Sequence, residues 1–595
     1  MAGGGSLPLS AGWVARKQTS YDELTCVSGA LWWLQSNPDL GGASQLVRAA
    51  PGEKPQVHTP LGVSVGGWLH AYGGGSYALG PNAQWIVSAA DSKVYQVSPD
   101  TAPRRVVPGD DGFLYGDLHV AEGALLAVRG TDEGDQIVEI HPEREEVRVL
   151  VSSSGFLAAP RLRGGRLAYV EWDADRMPWD ASRLVISDSA AVSRPATVVA
   201  GGEEESVIQP TWGPDGALYF LSDRTGWWNL YRWDGSARLV APMDADGAPA
   251  PWEAGYQSYA FLPEGSVVLT VHDGLRTRLI TIGADGSQKE LDTGLTSLKP
   301  YIAALGNKVA VIGSSPASTP AVWVVDPASG ALDRWAEPVP TPDHDPQPVS
   351  MPPAVCEARS GDTAIRYLLH LPPSGKLPVP LLIRAHPGPT AEVPMRLDWI
   401  VQYFTSQGFA VAEVAYRGST GHGRAFRQAL YGRWGEYDVE DCQAVARQLL
   451  ADGIVLPGAV FITGASAGGY TALQAACRRG PFTAATAISA ITDPARWATT
   501  APRFQRPHAA TLRGPAGAVR AEALRIPVLL IHGMADDIAP VSDAQQLADG
   551  LAAHGADHEA LFLDSVGHYL SSPASLTAAL EAELRFYRRF IPAAG

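Results

Sequence analysis

Two patterns of hydrophobic and polar positions divide the chain. From about residue 21 to residue 340, short alternating or apolar runs such as residues 267–271 and 279–282 follow one another, with turn sequences such as Asp234-Gly235 between them. Turns of this kind join antiparallel strands in tight hairpins. This half carries no long run with a 3.6-residue period, so we predict that it is all β.

The number of short strands in residues 21–340 limits the architectures that can hold them. Roughly 300 residues of antiparallel strands leave many strand edges to be covered, and a propeller covers them by radial repetition. A large sandwich is the competing architecture. The internal repeat is degenerate, but the pattern favours the propeller.

A proline-rich segment separates this pattern from the next. Five prolines fall within residues 337–348, and we assign residues 341–350 as an extended linker. Beyond it, strand-like runs alternate with amphipathic helical patterns, which is typical of a parallel sheet with right-handed crossovers. We therefore predict an α/β domain over residues 351–595. Residues 1–20 form a separate N-terminal segment, and packing on the α/β domain is one option for it.

The sharpest motif lies in the second half, where an apolar run leads into Gly464-Ala465-Ser466-Ala467-Gly468. Gly-x-Ser-x-Gly between a strand and a helix is the nucleophile elbow of α/β-hydrolases. The turn leaves no room for side chains beside the serine, so Gly464 and Gly468 allow strand and helix to approach. The N–H of Ala467 would face a developing oxyanion. In isolation, the pentapeptide also fits an ordinary glycine-rich turn.

Two later strand ends supply the partners that a nucleophilic serine requires. One apolar run ends in a loop with Asp536 and Asp537, and the next ends in a loop with His568. Open α/β sheets build their sites at such strand ends. Serine, then acid, then histidine is the chain order of α/β-hydrolase triads. Asp536 and Asp537 are both candidates for the acid at this point.

Composition narrows the partners and the location. Lys and Arg total 46 against 62 for Asp and Glu, and the net charge of −16 disfavours nucleic acid and anionic membranes as partners. No run approaches the roughly 20 apolar residues of a membrane span. The start lacks the basic and apolar regions of a signal peptide, so we expect a cytoplasmic protein. The four cysteines match no metal spacing, and we predict neither a metal nor a cofactor.

Longer motifs occur in both halves of the chain. In the second half they are residues 386–390 (HPGPT), 416–424 (YRGSTGHGR) and 432–435 (GRWG), and in the first half they are residues 70–75 (HAYGGG), 177–180 (MPWD), 209–216 (QPTWGPDG) and 222–231 (SDRTGWWNLY). With the elbow and the two loops, these motifs resemble the prolyl oligopeptidase family of serine peptidases. Within it the chain is similar to bacterial dipeptidyl aminopeptidase and acylaminoacyl peptidase-like enzymes, including puromycin-hydrolysing aminopeptidases. The resemblance covers nearly the whole chain.

The resemblance implies a fold and a set of roles. The implied fold is a seven-bladed propeller that caps an α/β-hydrolase domain, with the active site in the cavity between them. The first acid of the pair, Asp536, would orient His568, while Ser466 would attack a carbonyl carbon. A second oxyanion donor would come from Gly388 or Thr390, because the proline between them has no N–H.

Contacts with the substrate are less sharply indicated. The related aminopeptidases typically carry a glutamate where this chain has Ala71, and such a carboxylate could bind a substrate ammonium group. Glu205, in an acidic run at residues 203–205, is our candidate to replace it, and a solvated loop is the alternative. The other candidates for substrate contact are Tyr470, Trp497 and Phe504. For the last two, packing at the domain interface is the alternative.

Three hypotheses for the function follow. The first is a serine hydrolase that cleaves amide bonds of small peptides or peptide-like molecules through an acyl-enzyme. The second is a hydrolase or acyltransferase dedicated to one small molecule in biosynthesis or resistance. Ala71 and Pro387 depart from the pattern of the related aminopeptidases, so this hypothesis stays open. The third is a binding propeller with an idle hydrolase domain, and the intact triad argues against it. A homo-oligomeric state is left open.

Overall fold

Seven four-stranded antiparallel sheets follow one another along the first half of the chain. The structure, a computed structural model, describes residues 8–17, 19–38, 41–109, 111–188, 196–336 and 351–592. Within each sheet the strands pair in chain order, and the first strand of the first sheet packs against the first strand of the last. The ring is therefore closed. The predicted seven-bladed propeller is confirmed, and the sandwich alternative is wrong.

The blades are built from short strands with tight connections. Blades one to four contain β1 (Ser20–Val27), β2 (Ala30–Ser36), β3 (Ser44–Ala49), β4 (Gln56–Val57), β5 (Tyr77–Leu79), β6 (Gln84–Val87), β7 (Val94–Ser98), β8 (Thr101–Arg105), β9 (Leu114–Ala121), β10 (Ala124–Gly130), β11 (Asp135–His141), β12 (Glu146–Ser153), β13 (Phe156–Arg163), β14 (Arg166–Trp172), β15 (Ser182–Asp188) and β16 (Thr197–Gly202). Blades five to seven contain β17 (Val207–Trp212), β18 (Leu218–Ser222), β19 (Asn229–Trp233), β20 (Ala237–Leu239), β21 (Tyr259–Phe261), β22 (Val267–His272), β23 (Thr277–Ile282), β24 (Gln288–Leu291), β25 (Ser297–Leu305), β26 (Lys308–Ser315), β27 (Ser318–Val325) and β28 (Leu332–Ala336).

Two loops from different blades meet closely inside the ring. The N–H of Ala254 donates to the carbonyl of Gly73 at 2.9 Å. A Cβ on Gly74 would lie only 2.3 Å from the carbonyl oxygen of Ala254, so this contact requires glycine. The contact fixes the loop before β21 at the residue that directly follows Trp252 and Glu253.

The second half forms one eight-stranded sheet in the order β29-β30-β32-β31-β33-β34-β35-β36. The first three strands pair antiparallel and the rest are parallel. The strands are β29 (Ala354–Ser360), β30 (Thr363–His370), β31 (Val379–Ala385), β32 (Ala410–Val414), β33 (Val455–Ala465), β34 (Ala484–Ile488), β35 (Val528–Gly533) and β36 (His558–Leu563). The helices of the chain are α1 (Ala11–Ala15), α2 (Trp399–Ser406), α3 (Gly423–Gln428), α4 (Tyr437–Ala451), α5 (Ala467–Ala476), α6 (Pro494–Thr500), α7 (Arg506–Leu512), α8 (Val541–Ala553) and α9 (Pro573–Arg588). The predicted α/β-hydrolase sheet is confirmed.

Helix α1 belongs to the N-terminal segment but packs on the hydrolase domain. It contacts α9 and α2, and the Trp13 ring meets the Trp399 ring edge to face at 4.9 Å. The N–H of Leu9 donates to Ser406 Oγ at 3.0 Å, and Gln407 donates back to the carbonyl of Leu9. The beginning of the chain is therefore attached to the domain that also contains its end.

Buried ion pairs join the propeller to the hydrolase domain. Asp223 of the propeller accepts from Arg424 and Arg427 at 2.7 Å each, and the side chains of Asp223 and Arg427 are fully buried. Asp135 accepts from Arg503 at 2.8 Å on another side of the interface. These contacts fix how the two domains face each other. The predicted linker, residues 341–350, lies outside the described residues.

In the part of the chain that the structure describes, no helix is long and apolar enough to cross a membrane.

Candidate active site

The serine lies at a tight turn between β33 and α5. Ser466 has a φ of 53° and a ψ of −117°, a sparsely populated conformation for a residue with a side chain. A Cβ on Gly464 would lie 2.2 Å from the carbonyl oxygen of Gly468, and one on Gly468 would lie 2.2 Å from that of Ala385. Both glycines are therefore required for the strand, the helix and the end of β31 to meet. Ala467 starts α5, where unpaired N–H groups carry positive partial charge.

The structure brings Asp536 and His568 together. His568 Nδ1 lies 2.8 Å from Asp536 Oδ2 and 3.0 Å from Oδ1. Asp536 also accepts from the N–H groups of Ile538 and Ala539 at 2.9 and 2.8 Å, and His532 Nε2 lies 3.2 Å away. Burial alone would raise the pKa of Asp536, but the bonds from the two histidines hold it well below its ordinary value. The carboxylate is charged and fully hydrogen-bonded before any substrate binds.

Asp537, the rival acid, faces elsewhere. Its side chain is exposed, and it lines an interdomain cavity of about 440 Å³ together with Ile538 and Arg503. His568 lines a different cavity of about 640 Å³, whose wall also includes Gly464 and Ala465 of the elbow. The loops that carry the three predicted triad residues thus converge at the carboxyl ends of β33, β35 and β36.

The predicted second oxyanion loop lies directly beside the elbow. Gly388 has a φ of 123°, and a Cβ there would lie 2.9 Å from the nitrogen of Thr390, so the loop bends tightly at glycine. The side chain of Thr390 is fully buried. Its carbonyl oxygen accepts a hydrogen bond of 2.6 Å from Trp252 Nε1 of the propeller. Both candidate donors, Gly388 and Thr390, therefore lie on a loop that the propeller also contacts.

His386, next to this loop, has a structural environment. Its ring stacks on Tyr416 at 4.1 Å, its Nδ1 lies 2.8 Å from the carbonyl oxygen of Pro387, and its Nε2 lies 2.7 Å from Ser419 Oγ. Burial lowers the pKa of His386 to about 4. Both ring nitrogens are engaged, so His386 is a hydrogen-bonding residue of the loop and not a second base.

Two of the predicted substrate contacts lie in the hydrolase core instead. Tyr470 is fully buried, packs on Trp434 with ring centroids 4.3 Å apart, and donates to the carbonyl of Gly517 at 2.6 Å. Trp497 is buried on the other side of the same tryptophan. The expectation that Tyr470 and Trp497 touch substrate is corrected, because their rings stabilise the core behind the site.

Phe504, the third aromatic candidate, lies at the domain interface. Its ring stacks on His70 at 5.5 Å and meets the rings of Phe156 and Tyr72 edge to face. It borders two interdomain cavities, of about 440 and 60 Å³. Phe504 thus packs against the propeller and also borders space between the domains.

Glu205 does not offer a free carboxylate. Its Oε1 accepts from Arg224 Nη2 at 2.7 Å, from Arg224 Nε at 2.9 Å and from Ser222 Oγ at 2.6 Å. The carboxylate is neutralised within its own blade, so the expectation that Glu205 faces the cavity to bind an ammonium group is corrected.

A different carboxylate, Glu253, follows Trp252, the propeller residue that donates to the Thr390 loop, and was missed from the sequence. It lines the cavity of about 60 Å³. Burial, followed by the charge of Asp22, raises the pKa of Glu253 to about 7. Lys299 lies within electrostatic range but donates to Asp22, and the Tyr301 hydroxyl approaches Glu253 only to 3.5 Å. Among the described residues, no Lys or Arg forms an ion pair with Glu253.

Two tyrosines lie within electrostatic range of Glu253. Tyr569 follows His568, is 54% exposed and lines the same cavity as the histidine. Burial, together with the charge of Glu253, raises the pKa of Tyr569 to about 12. Tyr72 lies within electrostatic range of both and is fixed by a hydrogen bond from Gln505. Only Tyr72 was in a motif that the sequence singled out.

The described residues contain no group of three or more His, Cys, Asp or Glu side chains that could hold a metal ion. The site offers a serine on an elbow, a histidine with a bonded carboxylate, and helix N–H groups.

The sequence that forms this site is similar to a known protein family. Residues 395–592 match the model of the prolyl oligopeptidase family. These residues lie within the hydrolase domain. They include the elbow and the loops that carry Asp536 and His568, so the similarity to this family covers the part of the chain that forms the site.

Solved structures extend the likeness over both domains. The structure is similar to that of puromycin hydrolase, with a TM-score of 0.92 and 27% identity over 99% of this chain and 97% of that chain. A puromycin-hydrolyzing peptidase of Mycobacterium tuberculosis gives a TM-score of 0.90 and 27% identity over 98% and 97% of the two chains. The whole propeller–hydrolase arrangement is therefore shared with these two proteins.

Curated sequences match over a smaller region. Dipeptidyl aminopeptidase BIII of Pseudoxanthomonas mexicana is 27% identical over 299 residues, which are 45% of this chain and 42% of that protein. The chain spans less than half the length of the curated relatives that it matches first.

Proposed function

We propose that this protein is a serine peptidase that cleaves amide bonds in small peptides and peptide-like molecules carrying a free amino group. The observation that carries the proposal is a pair of carboxylates, one in each domain, that differ in their partners. Asp536 is bonded to His568 for catalysis, and Glu253 lies near Tyr569 with no ion-pair partner among the described Lys and Arg residues. The likeness to a dipeptidyl aminopeptidase and to puromycin hydrolase supports it.

The proposed reaction follows from the positions of the side chains. Ser466 Oγ attacks the carbonyl carbon of the substrate while His568 takes its proton, and Asp536 holds the imidazole in the tautomer that leaves Nε2 free to act as base. The oxyanion is stabilised by the N–H of Ala467 and by a donor from the Gly388–Thr390 loop. His568 then protonates the leaving amine, and water releases the acyl group by the reverse steps.

Substrate recognition is assigned to Glu253. A free ammonium group buried between two domains needs an opposite charge, because an unpaired buried charge costs several kcal/mol. Glu253 can ionise to pair with it, and the rings of Tyr72 and Tyr569 present negative faces to a cation. The proximity of Tyr569 to His568 fits an amine close to the scissile bond.

Size selection is part of the same proposal. Seven blades cover the hydrolase face that carries the triad loops, and buried ion pairs hold the two domains together. We expect small peptides and amides to be cleaved and folded proteins to be resistant.

A substrate panel tests the proposed function. The panel contains aminoacyl, dipeptidyl and N-acetyl-aminoacyl amides with the same leaving group, and the Ser466→Ala protein supplies the background. We expect cleavage of free-amine substrates with kcat/KM at least tenfold above that of their acetylated counterparts. Faster cleavage of the acetylated amides would contradict the assigned recognition, and no cleavage of any amide would contradict the peptidase proposal itself.

A hydrolase or acyltransferase dedicated to one small molecule is the second candidate. The structural likeness to puromycin hydrolase over nearly the full chain favours it. Puromycin and an acyl acceptor such as a free amine therefore belong in the panel. A kcat/KM for one such molecule that exceeds every simple peptide by orders of magnitude would favour this candidate.

Location and partners are further proposals. All four cysteines carry free thiols, which fits a reducing compartment such as the cytoplasm. The charge of −16 fits a protein without nucleic-acid or anionic membrane partners. Cell fractionation and light scattering would check the location and any homo-oligomeric state.

A further inference from the structure

The segment between β31 and α2 belongs to the hydrolase domain in sequence, but the propeller forms many of its hydrogen bonds. This segment, residues 386–398, carries the candidate oxyanion donors. Each of five bonds joins the propeller to one of four residues of the segment, and Met395 takes part in two of them. They are Trp252 Nε1–Thr390 O (2.6 Å), His272 Nδ1–Glu392 Oε2 (2.8 Å), Met395 N–Leu275 O (2.9 Å), Thr296 Oγ1–Met395 O (2.6 Å) and Leu397 N–Ser315 O (2.9 Å).

Among these contacts, Trp252 lies nearest the donors along the chain, and its own position is fixed. Its ring contacts Trp179 at 4.6 Å, Tyr72 at 5.2 Å and His508 at 5.6 Å. The backbone two residues later is held by the close contact between Ala254 and Gly73. These contacts fix the orientation of the indole ring, and in this orientation its N–H points to the carbonyl oxygen of Thr390.

The residue that receives this bond is fixed from its other side as well. The Thr390 side chain is fully buried, with its Oγ1 3.5 Å from His508 Nε2. With both the carbonyl and the side chain held, rotation of the peptide groups between Gly388 and Thr390 is restricted. An oxyanion donor is effective only when it is aimed in advance at the position that the oxyanion will occupy.

We propose that Trp252 is a positioning residue for the oxyanion hole: the propeller, through this indole, fixes the hydrolase loop that supplies the second donor. The inference rests on the proposed function, since it concerns the same serine chemistry. The His272–Glu392 hydrogen bond is a second hold on the same segment, farther along the chain from the candidate donors.

The test compares two tryptophans that make the same kind of bond. Trp252→Phe keeps an aromatic ring but removes the indole donor and part of the ring, and the control variant loses the same atoms. Trp323→Phe is the matched control, because Trp323 Nε1 donates to the carbonyl of Gly313 at 2.9 Å within blade seven. For both variants we would measure kcat and KM with an aminoacyl amide, and the Ki of an alkylboronic acid that lacks an amino group. The boronate forms a tetrahedral adduct with the serine and reports on the oxyanion hole without involving Glu253.

For Trp252→Phe we expect kcat to fall about 10- to 100-fold with KM within about threefold, since outright loss of a donor costs roughly 10²- to 10³-fold. Boronate affinity should weaken by a similar factor. Trp323→Phe should change none of the three quantities by more than about twofold. The proposal is overturned if Trp252→Phe matches the control, or if it raises KM while kcat and boronate affinity are retained.

A second variant keeps the test decisive if Trp252→Phe fails to fold. Glu392→Ala removes the other hold and leaves Trp252 unchanged, and we expect a smaller loss of about 3- to 10-fold in kcat and in boronate affinity. Unchanged values would overturn the proposal. The rate at which a small fluorophosphonate labels Ser466 distinguishes a failure of the proposed function from a failure of the proposed role of Trp252. If the wild-type protein cleaves no amide, the proposed function is contradicted. The labelling rates of the variants relative to wild type still test whether Trp252 positions the oxyanion loop.

Discussion

The two domains hold carboxylates in opposite states. In the hydrolase domain, Asp536 accepts bonds from His568 and from two backbone N–H groups, and its pKa is held low. In the propeller, burial raises the pKa of Glu253 to about 7, and among the described residues one long hydrogen bond, from Tyr301, reaches its carboxylate. Asp536 already has its partners, whereas Glu253 has no ion-pair partner among the described Lys and Arg residues. In the proposed function, Asp536 orients the histidine and Glu253 selects the substrate amine.

The largest effect on activity is expected from removing the proposed nucleophile of the hydrolase domain. Ser466→Ala should lower kcat by roughly 10⁴- to 10⁶-fold, because the residual rate comes only from the oxyanion hole and substrate binding. The measurement is amide hydrolysis by purified protein, with circular dichroism as the control for folding. Near wild-type turnover by the folded variant would remove Ser466 from the mechanism.

The second test compares Asp536 and Asp537, two neighbouring acids of the hydrolase domain. Asp536→Asn should lower kcat by roughly 10³- to 10⁴-fold, because the amide favours the wrong tautomer of His568. Asp537→Asn is the matched control, and since Asp537 is exposed and faces another cavity, it should stay within a few-fold of wild type. A larger loss in the control than in Asp536→Asn would reverse the assignment of the acid.

The third test concerns Glu253 of the propeller. Glu253→Gln removes the charge and keeps the shape, so kcat/KM for free-amine substrates should fall about 10- to 100-fold while acetylated substrates change little. Both are measured with one leaving group, so the chemical step is common to the pair. Equal losses for the two substrate classes would show that Glu253 supports the fold of the site and not the choice of amine.

The pH dependence sharpens the same point. Since the pKa of Glu253 is raised to about 7, it is mostly protonated at pH 5.5 and ionised at pH 8. The ratio of kcat/KM for free over acetylated substrate should therefore rise as pH increases through about 7, and fall above about 8 as the substrate amine loses its proton. Titration of the triad affects both substrates and cancels in the ratio. In Glu253→Gln the rising limb should vanish, and its persistence would assign it to another group.

The smallest expected effect belongs to the other propeller glutamate. Glu205→Gln should leave kcat/KM for free-amine substrates within about twofold, because its carboxylate is already bonded to Arg224 and Ser222. The variant also serves as the charge-matched control for Glu253→Gln. If Glu205→Gln lowers kcat/KM for free-amine substrates as much as Glu253→Gln does, amine recognition cannot be assigned to Glu253 alone.

The same contrast explains what could be predicted from the sequence. The elbow is contained in five consecutive residues, and its partners follow strands whose apolar pattern is plain, so the fold and the loops of the triad could be predicted. Glu253 has no motif, because its setting arises where a loop before β21 meets Gly73 and Tyr569, which are distant along the chain. All residues of α5 are buried, which is a tertiary property, and the prediction that Tyr470 contacts substrate was wrong for that reason.

The packing of α1 on α9 has a consequence for the order in which contacts form. Helix α1 precedes every blade of the propeller along the chain, and α9 follows all of them. At ~5–20 residues per second, synthesis separates the two helices by on the order of half a minute or more. The blades are all made in that interval and can close their ring. During translation, the face of α1 that packs on α9 therefore stays uncovered until α9 has been made, after the blades have been synthesised.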